Sequence, residues 1–233
     1  MVDVNQENGI NNVGFLELTG KSPEDLSGIS YLENVGVILV PESLHATLMK
    51  IPQKNVGLIV TVPITKGKIK VLSGQLTLSG DVFSNLTGSP EDILVIVGQV
   101  IISSPIEAVG FSEVIVAGQL FAPKSQESKI ASTVSRMVGQ IAYYTGDVPR
   151  IFIGDETFSQ DFFELIDSKM SLILIGSCEI SEDVDIAILK QKIADFIIIG
   201  DITVSRKLAP LIQILATTKL GDILIREDED QAG

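Results

Sequence analysis

The chain has 233 residues, of which 45% are hydrophobic and only 5% aromatic, so we expect a core built from Ile, Leu and Val. The net charge of −13 argues against nucleic acid or an anionic membrane as a partner, because both require a basic surface. The apolar runs fall far short of the roughly 20 residues that span a bilayer, and the N-terminus lacks a signal-peptide pattern. We therefore expect a soluble, cytoplasmic protein.

The chain divides into three parts by composition. Residues 1–27 are polar and rich in Asn, Gly, Ser and Glu, and we interpret them as an N-terminal arm or cap. A repetitive pattern begins near residue 28, so we assign 28–225 to a repeat domain. Residues 226–233, REDEDQAG, form an acidic C-terminal tail, which we expect to be solvated and to discourage strand pairing at the end of the fold.

One phrase recurs along the repeat domain: aliphatic residues, a glycine, a polar residue and further apolar residues. It reads LVIVGQVIIS at 94–103, LILIGSCEIS at 172–181 and FIIIGDITVS at 196–205. Most successive glycines are 20–24 residues apart, with one step of 17 and one of 36. A period in this range indicates stacked supersecondary units. The recurring glycines are Gly36, Gly57, Gly74, Gly98, Gly118, Gly154, Gly176, Gly200 and Gly221.

Helical patterns follow several of the predicted strands. Leu44, Leu48 and Ile51 share one helical face, and further helices are expected over 124–139 and after Ser159, Ser181 and Ser205. Each of those serines is interpreted as an N-cap, because its hydroxyl can accept a hydrogen bond from a free backbone N–H.

Two parts of the repeat domain depart from the strand-and-helix pattern. The connections after Gly74 and Gly98 are rich in Gly, Ser and Pro, which favours loops. Residues 140–149 are a surplus segment, interpreted as an extra strand or a protruding hairpin, and they account for the long step in the glycine spacing.

Strand, connection and helix at this period predict an α/β fold, a right-handed parallel α/β solenoid with its strands on one face. A helix-free β-solenoid and a doubly wound α/β domain are the alternatives.

In its period and its strand-then-helix order, the chain resembles the leucine-rich-repeat proteins. In IADFIIIGDIT, residues 193–203, the first three apolar places of that repeat are held by Ile193, Phe196 and Ile198, while Asp201 stands at the asparagine place. The resemblance covers most of 28–225. A solenoid exposes a long regular surface, which favours binding of another protein at the strand-lined face.

The sequence offers no catalytic, cofactor-binding or metal-binding set. His45 is the only histidine and Cys178 the only cysteine, and a solenoid would hold them far apart along the stack. Neither a P-loop nor a dinucleotide-binding glycine motif is present. We therefore predict no cofactor, no metal and no enzymatic activity.

Two groups of residues are candidates for binding. The acids that follow the repeat glycines would occupy equivalent positions in a regular stack and form an acidic stripe. Adjacent tyrosines in the surplus segment would make interface anchors if that segment protrudes. These candidates are Asp155, Asp201, Asp222, Tyr143 and Tyr144.

The function we infer is that of a non-enzymatic protein-binding repeat module that uses the strand-lined face, with an unidentified protein partner. The first alternative is a structural protein that assembles with itself as a dimer or a filament. The second is a hydrolase that uses carboxylates alone.

Overall fold

In a computed structural model, which describes residues 8–147 and 149–226, the chain forms three parallel β-sheets flanked by short helices. Sheet A contains β1 (Gly9–Glu17), β2 (Tyr31–Pro41) and β3 (Gln53–Val62). Sheet B contains β4 (Ile69–Leu78), β5 (Ile93–Ile102), β6 (Glu113–Pro123) and β7 (Arg136–Tyr144). Sheet C contains β8 (Arg150–Phe158), β9 (Met170–Ile180), β10 (Ile193–Val204), β11 (Ala216–Leu220) and β12 (Ile223–Ile225).

Short α-helices connect many of the strands and cover one face of each sheet. They are α1 (Pro23–Ser27), α2 (Glu42–Leu48), α3 (Glu127–Thr133), α4 (Gln160–Glu164), α5 (Ile186–Lys192) and α6 (Ala209–Leu215). In α2, Leu44 and Leu48 are buried on the face that the sequence predicts. The connections after β4 and β5 contain no α-helix, which confirms the expected loops. The α/β class and the parallel sheets are thus confirmed.

The strands do not form the one continuous stack that we expected. Pairing runs in chain order within each sheet but stops between β3 and β4 and again between β7 and β8. In sheet C, β11 and β12 together make the fourth position, since both pair with β10. The N-terminal segment contributes β1 and α1 to sheet A, whereas residues 227–233 of the acidic tail lie outside the described residues.

A row of glycines crosses each sheet in register. In sheet B, Gly98 pairs with Gly118 and Gly118 with Gly139. At Gly118 the backbone has φ +137°, and a Cβ atom there would overlap the carbonyl oxygen of Gly98. Both the left-handed backbone and the close approach of neighbouring strands therefore require glycine.

The surplus segment is an extra strand and not a hairpin. Residues 140–144 complete β7, whose glycine is Gly139, so the long step in the glycine spacing contains a whole unit. The predicted helix over 124–139 is wrong in its second half, because α3 ends at Thr133 and β7 begins at Arg136.

The serines predicted as N-caps do not form capping hydrogen bonds. Ser159 precedes α4, but its side chain makes no cap bond. Helix α5 is capped by Asp185, whose side chain accepts a hydrogen bond from the Ala187 N–H at 2.6 Å. The hydroxyl oxygen of Ser205 is buried without a partner. Helices α5 and α6 begin at Ile186 and Ala209, so Ser181 and Ser205 lie too far before them to be their N-caps.

The sheets pack on one another in steps. Each glycine divides its strand into an N-terminal and a C-terminal limb. The C-terminal limb of sheet A, with Leu39 and Val60, packs on the N-terminal limb of sheet B, with Val95. The C-terminal limb of sheet B packs in turn on the N-terminal limb of sheet C, where Phe121 meets Ile173. Most of the strand-lined surface is therefore core, stabilised by burial of branched side chains at about 1.5–3 kcal/mol each.

Two limbs carry exposed polar rows and lie at the ends of this stepwise packing. On the N-terminal limb of sheet A, Asn12, Asn34 and Asn55 have φ between 53° and 55°. Their amides form a ladder, with Nδ2 of Asn34 donating to Oδ1 of Asn12 at 3.0 Å and Nδ2 of Asn55 to Oδ1 of Asn34 at 2.7 Å. The other exposed limb is the C-terminal limb of sheet C.

Candidate functional site

The predicted acidic residues lie in one row on the C-terminal limb of sheet C. Asp155 and Asp201 both pair with Ser177, and Asp222 follows beside Asp201. All four side chains are exposed. An oxygen of Asp201 accepts a hydrogen bond from the Asp222 N–H at 3.0 Å, and the ammonium of Lys219 is 3.8 Å from Asp222. The row is regular, but its charges face solvent and are partly paired.

The next outward-facing row on this limb is also polar, and one arginine partly neutralises it. Thr157, Glu179 and Thr203 occupy equivalent places on three strands. The guanidinium of Arg226 forms an ion pair with Glu179 and another, at 3.1 Å, with Glu182. Among the described residues, no group of three His, Cys, Asp or Glu side chains is arranged to hold a metal ion.

The two tyrosines do not protrude, because β7 keeps pairing with β6 as far as Tyr144. Tyr144 is only 2% exposed, its hydroxyl donates to the Ile102 carbonyl at 2.8 Å, and burial raises its pKa to about 12. Tyr143 is partly buried, with the Lys124 ammonium 5.4 Å from its ring centroid. Tyr144 is therefore a core residue, and the expectation that it anchors an interface is wrong.

His45 and Cys178 belong to different sheets. His45 lies on α2, beside sheet A, whereas Cys178 is buried in the core of sheet C. Burial raises the pKa of the Cys178 thiol, which disfavours the nucleophilic thiolate. The two side chains do not form a catalytic pair.

A buried polar cluster that the sequence interpretation missed joins sheet B to sheet C. Asp195 is 1% exposed, and one of its oxygens accepts hydrogen bonds from the Thr145 N–H, at 2.6 Å, and from the Thr145 hydroxyl. The next residue, Gly146, donates its N–H to the hydroxyl of buried Ser171 at 2.8 Å. These bonds hold Thr145 and Gly146, the two residues that follow β7, against sheet C. The sequence signal for this cluster is Asp195, a charged residue inside the apolar run IADFIIIG.

Strands β4 and β8 each leave one edge open. Each pairs with one neighbour only among the described residues, β4 with β5 and β8 with β9. Their glycines, Gly74 and Gly154, have φ of +117° and +109°, as in the inner strands, yet no atom lies within 4 Å of an added Cβ. We call these two edges the open side of the molecule.

A small apolar cavity of about 100 Å³ lies between the two open edges. Leu76 and Ile101 of sheet B line it on one side, and Ile151 and Ile153 of sheet C line it on the other. Ile153 is 45% exposed although it is a large apolar residue. The open side therefore combines unpaired backbone with accessible apolar side chains.

On the opposite side, which we call the far side, each sheet ends in its last strand. There β7 lies against β10 and β11, and the Arg136 guanidinium donates to the Thr61 carbonyl at 2.7 Å, which joins β7 to β3. The strand orders of sheets B and C therefore run in the same direction, from the open side to the far side.

Comparison with known proteins gives no relative: no family model, no curated protein and no solved structure matches this chain. Within the described ranges, none of the helices is both long enough and apolar enough to cross a membrane.

Proposed function

We propose that this chain is a non-enzymatic protein-binding module that accepts an extended strand along the open side, at the outer edges of β4 and β8. The observation that carries the proposal is that these two edge strands keep the backbone conformation of inner strands. Addition of a strand to an open sheet edge is a common mode of peptide recognition, in which backbone hydrogen bonds give affinity and side-chain pockets give specificity.

The direction of the backbone groups supports this mode of binding. The carbonyls of Lys68 and Leu78 accept hydrogen bonds from the N–H groups of Ile93 and Ser103, at the start of β5 and just after its end. Backbone groups of alternate residues point to opposite sides of a strand. The N–H of Ser73 therefore points away from β5. By the same argument the N–H of Thr157 points away from β9, because the Phe158 carbonyl accepts from Ser181.

We further propose that each sheet is a short right-handed α/β solenoid of leucine-rich-repeat type, and that segments 63–68 and 145–149 connect the three. The in-register glycine rows and the helices between strands support this interpretation. Because neighbouring sheets cover most of the strand-lined face, the binding role that we first inferred for that face is limited to its two exposed limbs. Of these, the limb of sheet C contains the predicted residues Asp155, Asp201 and Asp222.

Selection from a displayed library of random decapeptides tests the proposal and separates the two surfaces. Peptides selected on the wild-type chain should bind about tenfold more weakly to the double variant Ser73→Pro/Thr157→Pro, because proline removes two outward N–H donors. The control Ser73→Ala/Thr157→Ala keeps both donors and should retain binding.

Two other outcomes would contradict strand addition. Peptides that bind the proline variant as well as the wild type would exclude the open side, and peptides whose binding is lost on Asp155→Lys alone would assign the site to the acidic limb. Failure to select any peptide would also contradict the proposal.

A further inference from the structure

We propose that the strand accepted on the open side belongs to a second copy of this chain. In this arrangement β7 of one copy pairs with β4 of the next, and β11 and β12 pair with β8. The inference rests on the proposed function and names its partner. It is carried by the match between the open side and the far side.

The first match is in width. Sheet B has four glycine positions from the open side to the far side, and sheet C also has four. Neighbouring strands are about 4.8 Å apart, so one shift of about 19 Å along the stack would extend both sheets at once. The two rows are Gly74, Gly98, Gly118 and Gly139 in sheet B, and Gly154, Gly176, Gly200 and Gly221 in sheet C.

The second match is in the glycines themselves. At every later glycine of both rows, an added Cβ would lie no more than 2.5 Å from the carbonyl oxygen of the preceding glycine. Gly74 and Gly154 have the same left-handed backbone and empty space in that place. Gly139 and Gly221 close the rows on the far side. Their carbonyls in one copy would fill the places beside Gly74 and Gly154 of the next.

The third match is in the side chains that follow the glycines. In sheet B, Nε2 of Gln75 donates to Oε1 of Gln99 at 3.0 Å, and Nε2 of Gln99 to Oε1 of Gln119 at 2.8 Å. Gln140 occupies the last place of this row. Beside Gln75 of a second copy, Gln140 would bring the glutamine row of one copy into line with that of the next.

Sheet A does not share this width, because it has three strands and its glycine row is Gly14, Gly36 and Gly57. Sheets B and C are therefore the two sheets that would pair with those of a second copy. The contact joins different surfaces of the two copies, and a shift along the stack leaves the same open side free on the last copy, so copies would add one after another.

Charge sets the conditions for this association. Each chain carries −13, and the contact would bring Asp222 of one copy beside Asp155 of the next. Salt screens such repulsion, and at roughly 0.5 M NaCl the screening length is about 4 Å. Association should therefore increase with protein concentration and with salt.

Disulfide trapping tests the head-to-tail register. In a Cys178→Ala background, Gln75→Cys and Gln140→Cys are prepared as separate proteins whose folding is checked by circular dichroism and thermal unfolding. In-register neighbours on adjacent strands fall within the Cα separation that a disulfide allows, about 4.4–6.8 Å. Under mild oxidation at roughly 0.5 M NaCl, the mixture should form a dimer that neither protein forms alone.

The control Gln99→Cys should form no mixed dimer with Gln140→Cys, since Gln99 already has a neighbour on both sides. Dimers of Gln75→Cys alone would indicate a head-to-head contact and overturn the inference. So would a chain that stays monomeric by light scattering at all concentrations. If a monomeric chain still selects peptides that Ser73→Pro/Thr157→Pro rejects, the proposed function stands and only the second copy as partner is excluded.

Discussion

Sheets B and C share their glycine rows and their width, yet the residues that follow the glycines differ in the two sheets. In sheet B the row contains Gln75, Gln99 and Gln119, whose amides bond from strand to strand. In sheet C it contains Asp155 and Asp201, separated by Ser177. Neutral amides can stand on adjacent strands, whereas like charges directly opposite each other are unfavourable.

The third residue after the glycine also differs between sheets B and C. Phe121 occupies it on β6 and is fully buried against sheet C, whereas Thr203 occupies it on β10, on a limb that no other sheet covers. The in-register glycines therefore give both sheets the same backbone, and the residues that follow them differ according to whether another sheet covers the limb.

The largest expected loss of stability comes from substituting the in-register glycines that sheets B and C share. Gly118→Ala should reduce the free energy of unfolding by on the order of 5 kcal/mol, because it adds left-handed backbone strain to overlap with the Gly98 carbonyl. Gly74→Ala, on the open edge, incurs only the backbone strain, about 1–3 kcal/mol. Urea denaturation measures both. Equal losses would contradict the difference between inner and edge strands.

The next effect separates the covered limb from the exposed one. Phe121→Ala should cost about 3–5 kcal/mol, since it empties a buried site between two sheets. Thr203→Ala, at the equivalent place in sheet C, should change stability by about 0.5 kcal/mol or less. Thermal unfolding of the pair measures the difference. A large loss in the Thr203 variant would show that something covers this limb.

A smaller effect is expected in the row that follows the glycines. Gln99→Ala removes hydrogen bonds to Gln75 and Gln119, and at about 0.5–1.5 kcal/mol for each bond it should cost about 1–3 kcal/mol. Ser177→Ala, at an exposed position, should stay within about 0.5 kcal/mol. Chemical denaturation of the two variants decides whether the ladder contributes to stability as its geometry suggests.

The last effect, which appears only at alkaline pH, is a pH dependence at the contact between sheets B and C. The pKa of Tyr144 is raised to about 12 in the folded protein, above its value of about 10 in an unfolded chain. The unfolded state therefore loses this proton first, and stability should fall as the pH rises from about 10 to about 12. Tyr144→Phe should reduce that slope, measured by denaturation at several pH values. The control Tyr143→Phe should leave most of the slope of stability against pH unchanged.

The glycine spacing predicted the strands wherever the flanking residues were aliphatic, as around Gly98 and Gly176. It did not include Gly14 and Gly139, because the sequences of β1 and β7, GINNVGFLE and RMVGQIAYY, are more polar. An extra strand was therefore only one of two interpretations of residues 140–149. The glycine spacing was enough to predict that Asp155 and Asp201 lie in one row. It was not enough to predict the burial of Tyr144, because that burial depends on β7 being a strand.

The division into three sheets was harder to predict, since it depends on contacts between distant units. The step from Gly57 to Gly74 is 17 residues and that from Gly139 to Gly154 is 15. Both are shorter than the other steps, and the chain leaves one sheet and starts the next at these two places. The open side could not be inferred from sequence, because β4 and β8 carry the same phrase as the inner strands.

Residue-resolved amide hydrogen exchange along β4, followed by NMR as the protein concentration is raised at constant salt, tests the central claim most directly. The outward N–H of Ser73 should exchange rapidly in the dilute chain and become protected at high concentration, while amides that face β5 stay protected throughout. Protection of Ser73 already in the dilute monomer would show that this edge is not open. Exchange that does not slow at any concentration would show that no second copy pairs there.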